Sequence, residues 1–150
     1  KYSNWFGDGL SPVRSYTIGG GVAAEAALEY GFTAEATGIN TFSIPFDTTR
    51  QIRDKTGNPI TFSTVGDLIK AINVQGTNNP VKVFGWWDRD AQKHIGLTSI
   101  TPNPDGSVTA ANCTATGSDE AGILAYPIQQ YWPYQVSVNS PMTFKISGYK

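Results

Sequence analysis

The chain has 150 residues, the length of one domain, and folding should bury roughly 68 to 70% of its extended surface. A net charge of −1 gives no electrostatic reason to expect nucleic acid or an anionic membrane as a partner, and no apolar run approaches the ~20 residues of a membrane-spanning helix. Charged residues make up 15%, well below the ~25% of typical domains, which together with abundant Gly, Thr, Ser, Asn and Pro favours an extracellular β protein rich in turns.

The first twelve residues carry Trp5 and Phe6 without a regular pattern, so residues 1–12 are interpreted as an arm that docks through its aromatic side chains. The chain begins at Lys1 and its only methionine is Met142, which predicts a processed or excised product. Cleavage of a signal peptide would explain this and would place the protein outside the cell or at its surface.

Residues 21–38 read "GVAAEAALEYGFTAEATG" and allow two interpretations. Ala, Glu and Leu favour a helix, whereas apolar residues at every second position favour a strand. The glycines at Gly19 to Gly21 and at Gly31 leave little length for a helix, so a strand is favoured and the helix stays open.

Two elements follow in the middle of the chain. Phe42, Ile44 and Phe46 alternate with polar residues, which predicts a strand with one buried face. Residues 64–73 place apolar side chains at i, i+3, i+4 and i+7, with Thr64 as N-cap and Asp67 completing a capping box, which predicts one short amphipathic helix.

The stretch "FGWWDRDAQKHIG" (residues 84–96) is predicted to be a strand, a polar turn and a return strand. Because side chains alternate along a strand, Trp86 and Trp87 must point to opposite faces, and only one of them can enter a given core. The turn "PNPDG" at residues 102–106 is predicted to join residues 97–100 to a strand at 108–113 as a second hairpin.

The C-terminal segment alternates twice, over residues 132–138 and again over 142–146, which predicts two strands. Trp132 and Tyr134 would share one face and Tyr131 would lie on the other. The turn "NSP" at residues 139–141 is predicted to make these strands a hairpin.

The order of these signals resembles a β-rich module of bacterial and archaeal secreted and cell-surface proteins. That module has a "GWNLISIPL" strand, a short helix, a "VWxYD…W" hairpin and a closing "PGKGYWI" pair of strands. Residues 38–148 carry the likeness in "GINTFSIPFD", "TVGDLIKAI", "VKVFGWWDRDAQKHIG" and "ILAYPIQQYWPYQVSVNSPMTFKISG". The chain departs from it at Ile39, where the module has Trp, and at "PIQQYW". The resemblance implies an extracellular accessory or structural module and no catalytic residues.

Polar residues form no recognisable catalytic motif. Asp88, Asp90 and His94 lie close in sequence, but a lone His is a poor zinc site and the aspartates suit a turn, so no metal is expected and Asp88 and Asp90 remain weak calcium candidates. Asp105, Asp119 and Glu120 lack calcium-loop spacing as well. Cys113 is expected to be a structural thiol within a strand, and Asn112 begins a glycosylation sequon. Neither an enzyme nor a cofactor is predicted.

Aromatic side chains are the main functional signal, and they leave several interpretations open. The predicted fold is mainly β, a β-sandwich-like single domain with one short amphipathic helix at about residues 64–73. The favoured function is a non-enzymatic extracellular structural or assembly protein, a self-associating subunit of a surface fibre or layer. A carbohydrate-binding or adhesive module is the first alternative, and an accessory module excised from a larger surface protein is the second. The candidate interface or ligand-binding residues are Trp5, Phe6, Trp86, Trp87, Tyr131, Trp132 and Tyr134.

Overall fold

Strands account for most of the regular structure in the computed structural model, which describes residues 25–34 and 38–150. The nine strands of this part are β1 Ala26–Phe32, β2 Asn40–Phe42, β3 Ile52–Arg53, β4 Pro59–Ile60, β5 Val81–Asp88, β6 Lys93–Thr98, β7 Thr114–Thr116, β8 Tyr134–Val138 and β9 Met142–Gly148. The helices are α1 Val65–Gln75 and α2 Glu120–Ala125, and a 3-10 turn covers Ala110–Asn112.

The strands form two antiparallel sheets. One has four strands in the order β1-β9-β3-β4, and the other has five in the order β2-β8-β5-β6-β7. The prediction of a mainly β, sandwich-like domain is confirmed. The docking arm at residues 1–12, with Trp5 and Phe6, lies outside the described residues.

The ambiguous segment contains strand β1, so its strand interpretation is confirmed for residues 26–32. Along β1 the outward positions are exposed, and Leu28, Tyr30 and Phe32 are turned towards the core. Seven residues of β1 pair with β9, from Ala26 opposite Gly148 to Phe32 opposite Met142. Residues 21–24 and 35–37 lie outside the described part.

Alternating burial in the next segment also follows the prediction, since Phe42, Ile44 and Phe46 are all buried. The paired strand is shorter than expected, because β2 ends at Phe42. Ile44 and Phe46 follow the end of β2 and are still buried, although they do not belong to a paired strand.

Helix α1 begins at the predicted cap. The Thr64 hydroxyl accepts a hydrogen bond from the Asp67 amide at 3.2 Å, and the Asp67 carboxylate accepts from the Thr64 amide at 3.0 Å. This reciprocal pair satisfies amides that a helix start leaves unpaired. The apolar face of Val65, Leu68 and Ile72 is fully buried, as the spacing predicted. No helix in the described residues is long and apolar enough to cross a membrane.

The predicted hairpin at residues 139–141 is wrong, although both of its strands exist. Strand β8 pairs with β2 and β5, whereas β9 pairs with β1 and β3 in the other sheet. The "NSP" segment therefore carries the chain from one sheet to the other. Both edges of β8 are already occupied, so β9 cannot pair beside it.

The second predicted hairpin is wrong in its return strand, although β6 does pair with a strand later in the chain. Residues 108–113 do not form the strand; a 3-10 turn lies there, and β7 at Thr114–Thr116 pairs with β6 instead. The Asn112 carboxamide oxygen accepts from the amide and the hydroxyl of Thr109, at 2.9 and 2.8 Å, which stabilises the turn over an extended chain. Cys113 therefore precedes the strand.

Aromatic side chains from both sheets meet in the core around Phe42. Its ring centroid lies 5.2 Å from that of Phe32 and 5.6 Å from that of Tyr30, both in the four-stranded sheet. Within its own sheet it lies 6.3 Å from Phe84 and 6.1 Å from Tyr134. These distances are typical of favourable aromatic pairs, so the cluster joins the two sheets.

A buried amide ties α1 to the five-stranded sheet. Asn73 is fully buried, its nitrogen donates to the Gly106 carbonyl at 3.0 Å, and its oxygen accepts from the Val81 amide at 2.8 Å. A single side chain thus satisfies one backbone group in a loop and one at the start of β5. Each would pay its full desolvation cost if that side chain were removed.

We therefore expect Asn73→Ala to lower the free energy of unfolding by roughly 2 to 4 kcal/mol, because two buried backbone groups lose their partner. Urea denaturation followed by circular dichroism measures the change. The neighbouring Val74 is exposed, so Val74→Ala is the matched control and should change stability by about 0.5 kcal/mol or less. Equal effects of the two substitutions would contradict the proposed role of Asn73.

Candidate functional site

The β5–β6 hairpin has the predicted form and presents the two tryptophans to opposite faces. Its register pairs Phe84 with Leu97 and continues to Asp88 opposite Lys93. Trp86 is 2% exposed and lies in the core, whereas Trp87 is 51% exposed. The alternation expected from the sequence is confirmed, and it makes Trp87 the aromatic that the hairpin offers to a partner.

The Asp88 carboxylate shapes the turn of the hairpin, as predicted. Oδ1 of Asp88 accepts from the amides of Asp90 and Ala91 at 3.0 and 3.1 Å. Gln92 closes the turn with a positive φ of 54°, and its side-chain nitrogen donates to the Arg89 carbonyl at 2.6 Å. Asp90 and Arg89 are exposed at the tip.

A stack of aromatic rings lies under and beside this hairpin. The Trp86 ring is 5.4 Å from Tyr126 and 6.4 Å from Trp132, and the rings of Tyr126 and Trp132 stack at 6.0 Å with an angle of 28° between their planes. Tyr126 is 38% exposed and Trp132 is half-buried. Trp86 thus supports two aromatics that reach the surface.

Backbone hydrogen bonds hold the segment that carries these two rings. The Tyr126 carbonyl accepts from the Val65 amide at 2.9 Å, at the start of α1. At the other end, the Tyr131 amide donates to the Ile44 carbonyl at 2.9 Å, and the hydroxyl of Tyr134 accepts from the Gln129 amide at 2.8 Å. The segment is therefore anchored to three separate parts of the fold.

Between this segment and the hairpin turn lies an open groove of about 430 Å³. We call it the aromatic groove. It is lined by Trp87, Asp88, Arg89, Asp90, Tyr126 and Trp132, together with Ala91. Three aromatic rings, two carboxylates and one guanidinium thus converge on one cavity, although their positions in the sequence are up to 45 residues apart.

The outer face of the five-stranded sheet continues from Trp87. His94 lies beside Trp87 in the register, and its ring reaches across the paired glycines Gly85 and Gly96 to Gln135, with 3.2 Å between Nε2 and the carboxamide oxygen. A Cβ atom at either glycine would come within 2.8 Å of the imidazole. The glycine pair therefore makes the space in which His94 lies flat on the sheet.

Sequence reasoning found part of this site. Trp87 and Trp132 line the groove, but Trp86 and Tyr134 are buried, which corrects their selection as surface candidates. Tyr131 is 63% exposed, does not continue β8 because its φ is 69°, and lies outside the groove lining. Tyr126 was missed as a candidate because it directly follows α2, a helix that the sequence analysis did not predict. The only signal for its role was the presence of other aromatic residues nearby in the sequence.

The remaining candidates for chemistry are dispersed. Among residues 25–34 and 38–150, no group of three or more His, Cys, Asp or Glu side chains is close enough to hold a metal ion, and Asp88 and Asp90 have no third acidic partner there. Asn112, the sequon residue, is half-buried. The half-buried Cys113 thiol faces the Thr109 carbonyl at 3.5 Å, and both burial and the nearby Glu120 raise its pKa.

Comparison with known proteins found no matching family model, no matching curated protein and no matching solved structure. The resemblance of residues 38–148 to a surface-protein module therefore stays a prediction that rests on hydrophobic and turn positions.

The two adjacent tryptophans should differ sharply in their contribution to stability. Trp86→Ala should lower the free energy of unfolding by about 3 to 5 kcal/mol, because it empties a core position beneath three aromatic rings. Trp87→Ala, at an exposed position on the same strand, should cost about 1 kcal/mol or less. Chemical denaturation of both variants makes the comparison, and a large loss for Trp87→Ala would contradict its assignment as a surface residue.

The raised pKa of Cys113 predicts slow alkylation. A thiol whose pKa is raised holds less thiolate at neutral pH, and the thiolate is the reactive form. The rate of reaction with iodoacetamide should be below that of a free cysteine peptide at pH 8 and should still rise above pH 9. Since Cys113 is the only cysteine, mass spectrometry of the intact chain follows it directly. Glu120→Gln should shift the profile to lower pH, and a profile like that of the peptide would refute the prediction.

Proposed function

We propose that this domain is a non-enzymatic extracellular module that associates with copies of itself, by strand pairing at β1, into a surface fibre or layer. The observation that carries the proposal is the long edge strand of the four-stranded sheet. Within the described residues, β1 pairs with β9 on one side and with no strand on the other. An edge of this kind is a template for another strand.

The other sheet edges are short by comparison. Strand β4 has two residues, one of them Pro59, and β2 and β7 have three residues each. Short edges and edge prolines are common means by which proteins discourage edge-to-edge pairing. Strand β1 has seven residues without Pro or Lys. Among these edges it is therefore the least protected against pairing with another strand.

The ion pairs of β1 support the same interpretation. Glu29 contacts Lys145 at 3.1 Å, and Glu25, just before the strand, contacts Arg53 at 3.2 Å. Both contacts run inward to strands of the same sheet rather than across the open edge. They neutralise the two carboxylates, which reduces the charge repulsion that an approaching strand would meet.

The proposed partner at this edge is a second copy of the chain. Its strand could be β1 itself or a segment of the arm at residues 1–12, whose docking role was expected from Trp5 and Phe6. Extracellular localisation forms part of the proposal and is supported by the low content of charged residues. The alternative of an accessory module excised from a larger surface protein is tested by the coding sequence on either side of these 150 residues.

The second candidate function is carbohydrate binding, which the aromatic groove favours.

Charges placed on the edge should prevent self-association. Ala27 and Gly31 lie on the exposed face of β1, and a Cβ at Gly31 would meet no atom within 4 Å, so the fold can accept longer side chains there. Replacing both, Ala27→Lys with Gly31→Lys, should raise the dissociation constant of self-association at least about tenfold. Light scattering coupled to size exclusion measures this against the monomer mass of 16.2 kDa.

A matched control adds the same two charges elsewhere. Ala110→Lys with Ala121→Lys changes exposed positions of the 3-10 turn and α2, and should leave the association unchanged. Deletion of residues 1–12 tests which segment of the second copy pairs with β1. Loss of association on deletion would assign the arm, rather than β1 itself, as the donor. A wild-type chain that stays monomeric at all accessible concentrations would refute the proposal.

A further inference from the structure

The aromatic groove has the size and lining of a small-molecule site. Its volume of about 430 Å³ lies within the ~300 to 1,000 Å³ of typical ligand pockets, which combine apolar and aromatic walls with a few polar groups. The groove is open along the surface, and Trp87 and Tyr126 are among the large hydrophobic residues that the fold leaves exposed. Apolar surface left exposed beside a groove can mark a ligand-binding site.

The wall of the groove is a supported platform. Tyr126 and Trp132 stack on each other with 28° between their planes, and the buried Trp86 packs against both rings. The segment between them is anchored by the hydrogen bonds of Tyr126 and Tyr131 to the rest of the fold. The rings are therefore held in position before any ligand arrives, which lowers the entropy cost of binding.

The rim of the groove is polar and slightly acidic. Asp88 makes its turn hydrogen bonds through Oδ1 alone among the described contacts, so Oδ2 can accept from a ligand hydroxyl. Asp90 supplies a second, exposed carboxylate and Arg89 supplies donors. Two carboxylates and one guanidinium give the rim a net charge of −1, which disfavours phosphates, sulfates and uronic acids.

We infer that the aromatic groove binds a neutral polysaccharide chain, with a pyranose ring stacked on Trp87 and its hydroxyls held by Asp88, Asp90 and Arg89. A pyranose whose substituents are equatorial has flat faces of C–H groups, and these suit the negative face of an aromatic ring. Its edge carries hydroxyls that donate to carboxylates and accept from a guanidinium. β-1,4-Linked glucose and N-acetylglucosamine polymers have this form. The inference does not rest on assembly through β1, which belongs to the other sheet.

The ring geometry favours a sugar over a cation. An aromatic cage for a quaternary ammonium needs rings that surround one point from different directions. Here Tyr126 and Trp132 are nearly parallel and stack on each other, and the Arg89 guanidinium lines the same cavity. Two stacked rings do not surround a point, so they do not form such a cage.

Calorimetric titration with cellohexaose and chitohexaose tests the inference on the full chain, with a polygalacturonate oligomer as the anionic probe and choline as the cationic probe. At least one of the two neutral oligosaccharides should bind, and the anionic and cationic probes should not. Trp87→Ala should weaken this binding by about tenfold or more, because it removes the stacking surface while leaving the core intact. Asp90→Asn should reduce it by a smaller factor, since the amide still offers an oxygen acceptor.

Tyr131→Ala is the matched control, because it removes an aromatic of similar exposure that lies outside the groove lining. Binding should be unchanged in this variant. Failure of both neutral oligosaccharides to bind, or equal binding by wild type and Trp87→Ala, would overturn the inference. Binding of choline that is lost in Asp90→Asn would overturn it in favour of a cationic ligand. Self-association of the Ala27→Lys, Gly31→Lys variant is measured independently by light scattering, so either proposal can fail without the other.

Discussion

The aromatic contacts around Phe42 are the interaction on which the rest of the structure depends. Residues 25–34 and 38–150 form two sheets, and many of the connections there are loops rather than long regular elements, so the sheets must be joined through their side chains. Phe42 contacts Phe32 and Tyr30 from one sheet and Phe84 and Tyr134 from the other. With a single cysteine in the whole chain, no internal disulfide can replace these contacts.

That core also determines what the surface presents. Strand β5 places Phe84 and Trp86 inside, and the period of two then forces Trp87 outward. Trp86 in turn supports Tyr126 and Trp132 from below. The exposed pair of Tyr126 and Trp132 is therefore a direct extension of the core. A surface built in this way can bind a flat ligand without first becoming ordered.

The two proposed interaction surfaces lie in different sheets and use different physics. Pairing at β1 would depend on backbone hydrogen bonds, which carry little information about the side chains of the partner. The aromatic groove would depend on ring stacking and on a few directed polar groups, which select for shape and charge. A module with both could hold its neighbours through one sheet and a polysaccharide through the other. The buried Asn73 ties α1 to the start of β5 in the same sheet as the groove.

Local patterns in the sequence determined the elements that depend on neighbouring residues. The capping box of Thr64 and Asp67, the turn of Asp88 and the opposite faces of Trp86 and Trp87 could all be predicted, because each follows from side chains within four residues of one another. Tertiary structure alone decided which strands pair. Strands β8 and β9 alternate as a hairpin would, but their edges are taken by β2, β5, β1 and β3, and alternation carries no information about a distant partner. The groove was hidden for the same reason, since Trp87 and Tyr126 meet only after the hairpin and the segment after α2 have packed on Trp86.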